Sequence, residues 1–215
     1  MDWGWIVRNL DEIGQRMLEH VLLTLIAVVI GFAISFLLAL LIRRLSWLEG
    51  PIIGVSGVLY SIPSLALFAL LIPFTGVRNP LLTAEIALVS YTILILLRNI
   101  LAGLAAVPRE VIEAADGMGY TRSQRLWRVE LPVALPVIVA GLRIATVTII
   151  GLVTITALIG LGGLGYLIVD VGYRRFFLTA TIVGSVGAIF LAIFADRGFV
   201  LLQRALTPWA RRGEG

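Results

Sequence analysis

Five long apolar stretches divide the sequence and limit the folds that it can adopt. The first covers residues 21–42 and contains no charged side chain. A helix needs about 20 apolar residues to cross the hydrocarbon core of a membrane, so this stretch is long enough to span it. The other four cover residues 51–77, 81–106, 132–158 and 176–195. We therefore predict an all-α, polytopic membrane protein with about five transmembrane helices.

The second stretch, residues 51–77, is interrupted by two prolines. Pro63 and Pro73 each lack a backbone N–H group, and a proline inside a helix removes a hydrogen bond and kinks or breaks the helix. We expect this span to be bent or split. The sequence leaves open whether the chain has five or six spans.

The composition agrees with a lipid environment and excludes several classes of function. Hydrophobic residues make up 60% of the chain and charged residues 14%, against about 45–50% and about 25% in soluble domains. There is no cysteine and one histidine, His20, so the sequence predicts no metal site. All 17 basic residues are arginines, with no run longer than two. We therefore expect no nucleic-acid partner.

The arginines that flank the spans predict the orientation of the chain. With five spans, segments 43–50 and 107–131 share one side with the C-terminus, and that side holds nine arginines against five on the other. Positive loops stay in the cytoplasm, which predicts a multi-pass protein of the inner or cytoplasmic membrane. Residues 1–18 then form an external amphipathic segment on the membrane surface, and residues 201–215 form a cytoplasmic tail.

The segment between the third and fourth spans, residues 107–131, is the most polar part of the chain. Pro108 suits the first turn of a helix, and that helix should end near Gly119 because glycine tolerates a positive φ. Thr121 and Gln124 have the spacing of a capping box that opens a second short helix. We predict a compact cytoplasmic protrusion made of two short helices.

The order of residues in this protrusion resembles the EAA signature of ABC-importer permeases. A Glu-Ala-Ala triplet is followed after three residues by a glycine and, nine residues further on, by Val-Glu-Leu-Pro. The resemblance implies that residues 19–200 form a type I ABC transmembrane domain, with loop 107–131 coupling it to an ATPase. The implied coupling residues are Glu113, Ala114, Ala115, Gly119, Leu131 and Pro132.

Further blocks of the sequence are similar to the permeases of osmoprotectant importers. They cover residues 61–67, 97–99, 140–143 and 159–165. The resemblance implies uptake of glycine betaine, carnitine, choline or proline betaine. An ABC permease for another small solute, such as an amino acid, is the alternative within this class.

The partners follow from what the chain lacks and from the resemblance. A glycine-rich phosphate-binding loop needs a lysine, and the chain has none. We therefore predict that the chain is not an enzyme, and that ATP and magnesium are bound by a separate ATPase subunit. The resemblance also implies an external solute-binding protein and a second permease subunit, either another copy or a paralogue. In the loop, Ala114, Ala115 and Gly119 would allow close backbone approach, and Glu113 would accept hydrogen bonds.

The proline-interrupted stretch supplies the candidate lining of a translocation path. Backbone carbonyls freed by Pro63 are tolerated at membrane depth only inside protein or beside a water-filled cavity. The aromatic faces of tyrosines attract quaternary ammonium ions. The candidate residues are Tyr60, Ser61, Pro63, Ser64 and Tyr91.

Three charged residues lie inside the apolar stretches. We expect Arg98 and Arg143 to extend to the cytoplasmic surface, and Glu85 to lie at the outer rim. No second carboxylate or histidine shares their depth, so we expect no proton relay. An ion-coupled secondary transporter, the alternative of another class, would normally need two related repeats with broken helices in both halves. An intramembrane hydrolase would need clustered catalytic side chains at one depth, and a bare helical scaffold would leave the loop motif unexplained.

Overall fold

The computed structural model describes residues 1–76 and 78–207, and these are helical with no β-strand among them. The predicted tail beyond residue 207 lies outside the described residues. Ten α-helices follow in order: α1 Trp3–Arg8, α2 Leu10–Arg44, α3 Glu49–Ser61, α4 Ser64–Thr75, α5 Pro80–Ala105, α6 Arg109–Gly117, α7 Arg122–Arg125, α8 Leu131–Val153, α9 Leu164–Tyr166 and α10 Leu178–Leu206. Short 3-10 segments cover Ser46–Leu48 and Thr154–Ile159, and π-helical segments cover Leu126–Glu130 and Leu167–Tyr173.

Four continuous helices are long and apolar enough to cross a membrane. They are Leu10–Arg44, Pro80–Ala105, Arg122–Ile159 and Leu178–Leu206. Each covers all or nearly all of one of the predicted apolar stretches, which confirms four of the five predicted spans. The third of these helices joins α7, the first π-helical segment, α8 and the 3-10 turn after it into one helix of 38 residues.

The fifth predicted span is the bent pair α3–α4. The segment Ser46–Ser61 meets Ser64–Thr75 at an angle of 104°, and Pro63 lies at the break, as predicted. Ile52 of α3 packs beside Ile42, near the end of α2. Phe68 of α4 is fully buried in a different cluster, around Leu88 of α5. The pair therefore passes from one end of the bundle to the other and, counted as one broken span, brings the passages among the described residues to five.

Helix α5 lies at the centre of the bundle, packed between α2 and α8. Of its 26 residues, 13 are buried. The Ser35 hydroxyl of α2 donates a hydrogen bond of 3.2 Å to the Ile93 carbonyl of α5. On the other side, a Cβ atom at Gly141 of α8 would lie 2.5 Å from Cβ of Asn99. A residue larger than glycine cannot sit there without a shift, so α5 and α8 are held close at this point.

The N-terminal segment is helical and leads directly into the first span. Helix α1 covers Trp3–Arg8, and α2 begins at Leu10 and runs without a break into the first span. Ile13 and Met17 pack against a buried cluster around Leu164 and Leu167, whereas Trp3 is exposed. The placement of residues 1–18 as an external amphipathic segment stays a prediction.

The segment Leu164–Tyr173 is a short apolar helix that the sequence analysis did not predict. It packs against the N-terminal part of α10 and against α2. The Leu164 N–H group donates to Nδ1 of the fully buried His20 at 3.3 Å. The imidazole proton is therefore on Nε2, which donates to the Ile150 carbonyl at 3.0 Å. His20 thus joins three parts of the chain at the end of the bundle away from α6 and α7.

Candidate functional site

Helix α6 forms the first half of the protrusion between α5 and α8. It begins after Pro108 and ends at Gly117, close to the predicted bounds. Gly119 has a φ of +80°, a conformation that favours glycine. The Gly119 N–H donates to the Asp116 carbonyl at 3.0 Å, and the Tyr120 N–H donates to the Ala115 carbonyl at 3.2 Å. These two bonds are a Schellman motif, which turns the chain sharply at the tip of the protrusion.

Within this chain, the positive φ at position 119 explains why the residue is a glycine, and steric crowding does not. A Cβ atom built there has no atom within 4 Å. The open space means that a side chain at this position would extend from the tip of the protrusion. The close backbone approach predicted at Gly119 would therefore be made by a partner protein and not by another part of this chain.

The second half of the protrusion opens with the predicted capping box. The Thr121 N–H donates to the side chain of Gln124 at 2.9 Å, and the Gln124 N–H donates back to the Thr121 hydroxyl at 3.3 Å. The helix that starts here is not a separate short helix. It runs through the π-helical segment Leu126–Glu130 directly into α8, with Pro132 in the first turn of that helix.

An ionic network joins the protrusion to the spans. Glu130 is only 1% exposed, and its carboxylate pairs with Arg43 of α2 and, at 2.8 Å, with Nε of Arg125. The Arg125 guanidinium also donates to both carboxylate oxygens of Asp116 at 2.6 Å. A buried charge must be paired to be tolerated, and here the pairing ties α6, α7 and the end of α2 together.

The sequence analysis gave Glu130 no role. It fills the variable position before Leu131 in the resemblance, so the motif drew no attention to it. The usable signal was an acid between two apolar residues at the start of a span, since such a residue needs a cationic partner. Arg43, at the end of the first span, provides that partner.

The predicted coupling residues divide into an exposed and an inward-facing group. The Glu113 side chain is 71% exposed and lies 3.6 Å from the Arg109 guanidinium. Ala114 and Gly119 are also exposed, whereas Ala115 is buried. Leu131 and Pro132 are partly buried at the junction with α8. Of these residues, Glu113, Ala114 and Gly119 are accessible to a partner in this structure.

The candidate path residues lie around the break between α3 and α4. The rings of Tyr60 and Tyr91 meet edge to face with centroids 5.6 Å apart. Tyr91 is 5% exposed, and its hydroxyl donates to the Ile62 carbonyl at the break at 2.5 Å. Tyr60 is 41% exposed. The carbonyl beside the break is therefore satisfied by Tyr91, and Tyr60 is the ring with an open face.

The remaining predicted path residues occupy the same bend. Ser61 is exposed, and its hydroxyl donates to the Val58 carbonyl at 2.8 Å. Pro63 is exposed and Ser64 is partly buried. Their place in a translocation path stays a prediction.

The structure gives contacts for two of the charged residues inside the spans. Arg143 forms an ion pair with Asp196 of α10, a carboxylate that compensates its charge at membrane depth, and its reach to the cytoplasmic surface stays a prediction. Both carboxylate oxygens of Glu85 are buried without a hydrogen-bond partner among the described residues, so the carboxylate does not project into open solvent. Arg98 is exposed. In the described ranges, no group of three or more His, Cys, Asp or Glu residues is arranged to hold a metal ion.

Several known proteins are similar to this chain along most of its length. The choline transport system permease protein OpuBB of Bacillus subtilis is 36% identical over 200 residues, which cover 93% of this chain and 91% of that protein. The osmoprotectant import permease protein OsmW of Salmonella typhimurium is 37% identical over 207 residues, 95% of this chain and 96% of that protein.

Solved structures share the fold. A structure of the MetNI methionine ABC transporter in inward-facing conformations matches with a TM-score of 0.79 and 26% identity, covering 88% of this chain and 93% of the other. A second crystal form matches with a TM-score of 0.80 at 24% identity, over 96% and 100% of the two chains. Both agree with the prediction of a type I ABC transmembrane domain.

The family model for the inner membrane component of binding-protein-dependent transport systems matches residues 27–212. This range begins within the first spanning helix and extends past α10, the last described helix. Because the match takes in nearly the whole bundle together with its protrusion, the chain belongs to the family of binding-protein-dependent transport system inner membrane components.

Proposed function

We propose that the chain is the permease subunit of an ATP-binding cassette importer for a small osmoprotectant: glycine betaine, carnitine, choline or proline betaine. The names of relatives that are 36% and 37% identical over more than nine-tenths of this chain support this substrate class. The observation that carries the proposal is the protrusion itself, which presents Glu113 and Gly119 to solvent while Glu130 ties it to the spans.

In this proposal, the protrusion transmits the movement of a partner protein to the spanning helices. A partner that moves α6 pulls on Asp116, and the ion pairs through Arg125 and Glu130 carry the pull to Arg43 on α2. The same partner moves α8 directly, because α7 and α8 belong to one helix. The work comes from ATP that a separate ATPase subunit binds with magnesium, and this chain catalyses no step itself.

The assembly in this proposal has three further parts. An external binding protein delivers the solute, and a second permease subunit, identical or paralogous, closes the path with this one. The protrusion faces the cytoplasm together with the chain's C-terminus, and the N-terminus faces outward. The arginine distribution supports this orientation, because positive loops stay in the cytoplasm.

The path in this proposal runs beside the break between α3 and α4. Tyr60 offers an aromatic face to a quaternary ammonium group, and Ser61, Pro63 and Ser64 shape the bend. Tyr91 fixes the bend by holding the Ile62 carbonyl. Its buried position makes it a positioning residue rather than a contact for the solute.

The test is reconstitution of the permease in vesicles with its ATPase and binding protein. We expect uptake of labelled glycine betaine that needs ATP and is blocked by excess carnitine, choline or proline betaine. Blocking by amino acids alone would assign the permease to amino-acid uptake. Uptake driven by an ion gradient without ATP would replace the proposal with the ion-coupled alternative.

A further inference from the structure

A groove of about 1060 Å³ lies at the end of the bundle that carries the protrusion, between α2 and the start of the α7–α8 helix. One wall carries Leu37 and Leu41 of α2, and the other carries Trp127. The ionic network around Glu130 uses two arginines that also line the groove. The groove therefore borders the ionic network that joins the protrusion to α2.

The polar side of the groove is strongly cationic. Four of its lining residues are arginines, against one acid, Asp116. Arg43 and Arg125 are neutralised by Glu130 and Asp116. Arg44 and Arg122 are exposed, and neither forms an ion pair with any residue in the described ranges 1–76 and 78–207. Two unpaired guanidinium groups in one groove are suited to bind a phosphate.

The apolar side of the groove continues an exposed apolar surface of the first spanning helix. Leu22, Ile26 and Ile30 are exposed along α2, and at these spacings they lie on one face of the helix. Leu37 and Leu41, which are 65% and 39% exposed, extend the exposed apolar surface of α2 into the groove. A ligand bound there has hydrocarbon on one side and guanidinium groups on the other.

An exposed tryptophan indicates how deep in the membrane the groove lies. Trp127, on its wall, is 58% exposed, and its ring is tilted by 51° to that of Phe36 with the ring centroids 5.9 Å apart. Trp47, just beyond the end of α2, is 70% exposed. Tryptophans of this kind collect at the boundary between hydrocarbon and head groups. The groove therefore opens at the level of the lipid phosphates.

We propose that this groove binds one anionic phospholipid, with its phosphate between Arg44 and Arg122 and an acyl chain along Leu37 and Leu41. Charge complementarity selects an anionic head group, and basic pockets between spanning helices favour such lipids. The apolar wall distinguishes a lipid from a free anion, which would leave these leucines uncovered. The inference needs only that the chain spans a membrane and is independent of which solute it transports.

The experiment is native mass spectrometry of the purified full-length chain, titrated with dioleoyl phosphatidylglycerol or with dioleoyl phosphatidylcholine. We expect one tightly retained phosphatidylglycerol per chain and no comparable retention of phosphatidylcholine. The double variant Arg44→Gln/Arg122→Gln should bind phosphatidylglycerol about tenfold more weakly or worse, because each arginine near a membrane surface adds to the attraction. Circular dichroism should show unchanged helicity.

A matched control is Arg109→Gln/Arg128→Gln. It removes two exposed arginines from the same end of the molecule but outside the groove, and it should bind the lipid like the wild type. Equal binding by wild type and groove variant, or equal retention of both lipids, would overturn the proposal. Displacement of the lipid by millimolar inorganic phosphate would overturn it as well, since the site would then be one for a free anion. If the double variant misfolds, the single variants Arg44→Gln and Arg122→Gln must each weaken binding.

Discussion

At the scale of single residues, Glu130 and Glu113 show two different uses of a carboxylate. One stabilises the protrusion, and the other is available to a partner. Both belong to the protrusion, but Glu130 is buried between two arginines and Glu113 extends into solvent. A buried carboxylate that pairs with two guanidinium groups contributes to stability, because removing it leaves Arg125 with Asp116 alone and takes away the carboxylate that pairs with Arg43. An exposed carboxylate 3.6 Å from one arginine contributes little.

We therefore predict that Glu130→Gln lowers the free energy of unfolding by about 2 kcal/mol, a value reduced from that of a fully buried pair because Arg43 is partly exposed. Glu113→Gln should leave it within about 0.5 kcal/mol of wild type. Thermal unfolding of the two variants in the same detergent provides the measurement. Equal loss of stability in both would mean that the network around Glu130 is not holding the protrusion.

A second prediction concerns the exposed surface of the protrusion. Glu113→Lys should leave folding unchanged but uncouple ATP hydrolysis from uptake, because it reverses the charge presented to the ATPase. Gly119→Asp should uncouple as well, at a cost of about 1 kcal/mol in stability because φ is +80° there. Gly119→Asn is the matched control for the backbone effect. Normal uptake and normal stimulated ATPase activity in both charged variants would remove the coupling assignment.

At the scale of helices, the break between α3 and α4 depends on a distant residue. Tyr91 belongs to α5, yet its hydroxyl satisfies the Ile62 carbonyl beside the break. The geometry of the bend is therefore set by a contact between helices as much as by Pro63. Tyr60, packed edge to face on the same ring, is free to change without breaking that bond.

We predict that Tyr91→Phe destabilises the protein by about 1 kcal/mol, because it leaves the partly buried Ile62 carbonyl unpaired, and that it slows uptake. Tyr60→Phe keeps the aromatic ring and removes a hydroxyl that does not hold the Ile62 carbonyl. It should change neither the stability nor the rate of uptake. Tyr60→Ala should lower the rate of uptake more than it changes the order of preference among glycine betaine, carnitine and proline betaine. A changed order would place solute selection in the path rather than in the binding protein.

The helices also show which features of the fold can be predicted from local sequence signals. Apolar runs located the spans, and Pro108, Gly119 and the Thr121–Gln124 pair located the protrusion closely, because these signals act within one or two turns. The helix Leu164–Tyr173 was missed because its stability comes from contacts with α2 and α10. The ion pairs Glu130–Arg43 and Arg143–Asp196 were missed for the same reason, since each joins helices far apart in sequence.

At the scale of the whole molecule, the five passages place the protrusion and the start of α5 at opposite ends of the bundle. Arg122 on the protrusion and Arg78 before α5 are both exposed. The cysteine-free sequence allows each position to be tested with one introduced thiol. The two sites are therefore suitable reporters of orientation in the membrane.

We predict that Arg78→Cys is labelled by an impermeant thiol reagent in intact cells, and that Arg122→Cys is labelled only after the membrane is permeabilised. Permeabilised cells serve as the control for accessibility at both positions. Labelling of position 122 but not of position 78 in intact cells would invert the proposed topology.

The single helix Arg122–Ile159 has a mechanical consequence. It is held most closely to α5 where Gly141 meets Asn99, and at 1.5 Å per residue this point lies about 28 Å from its first residue and about 27 Å from its last. A helix held near its middle can pivot about that point, with two arms of about equal length. If that contact is the pivot, a push on the protrusion tilts the opposite end by the same distance in the opposite direction. The path then closes on one side of the membrane as it opens on the other.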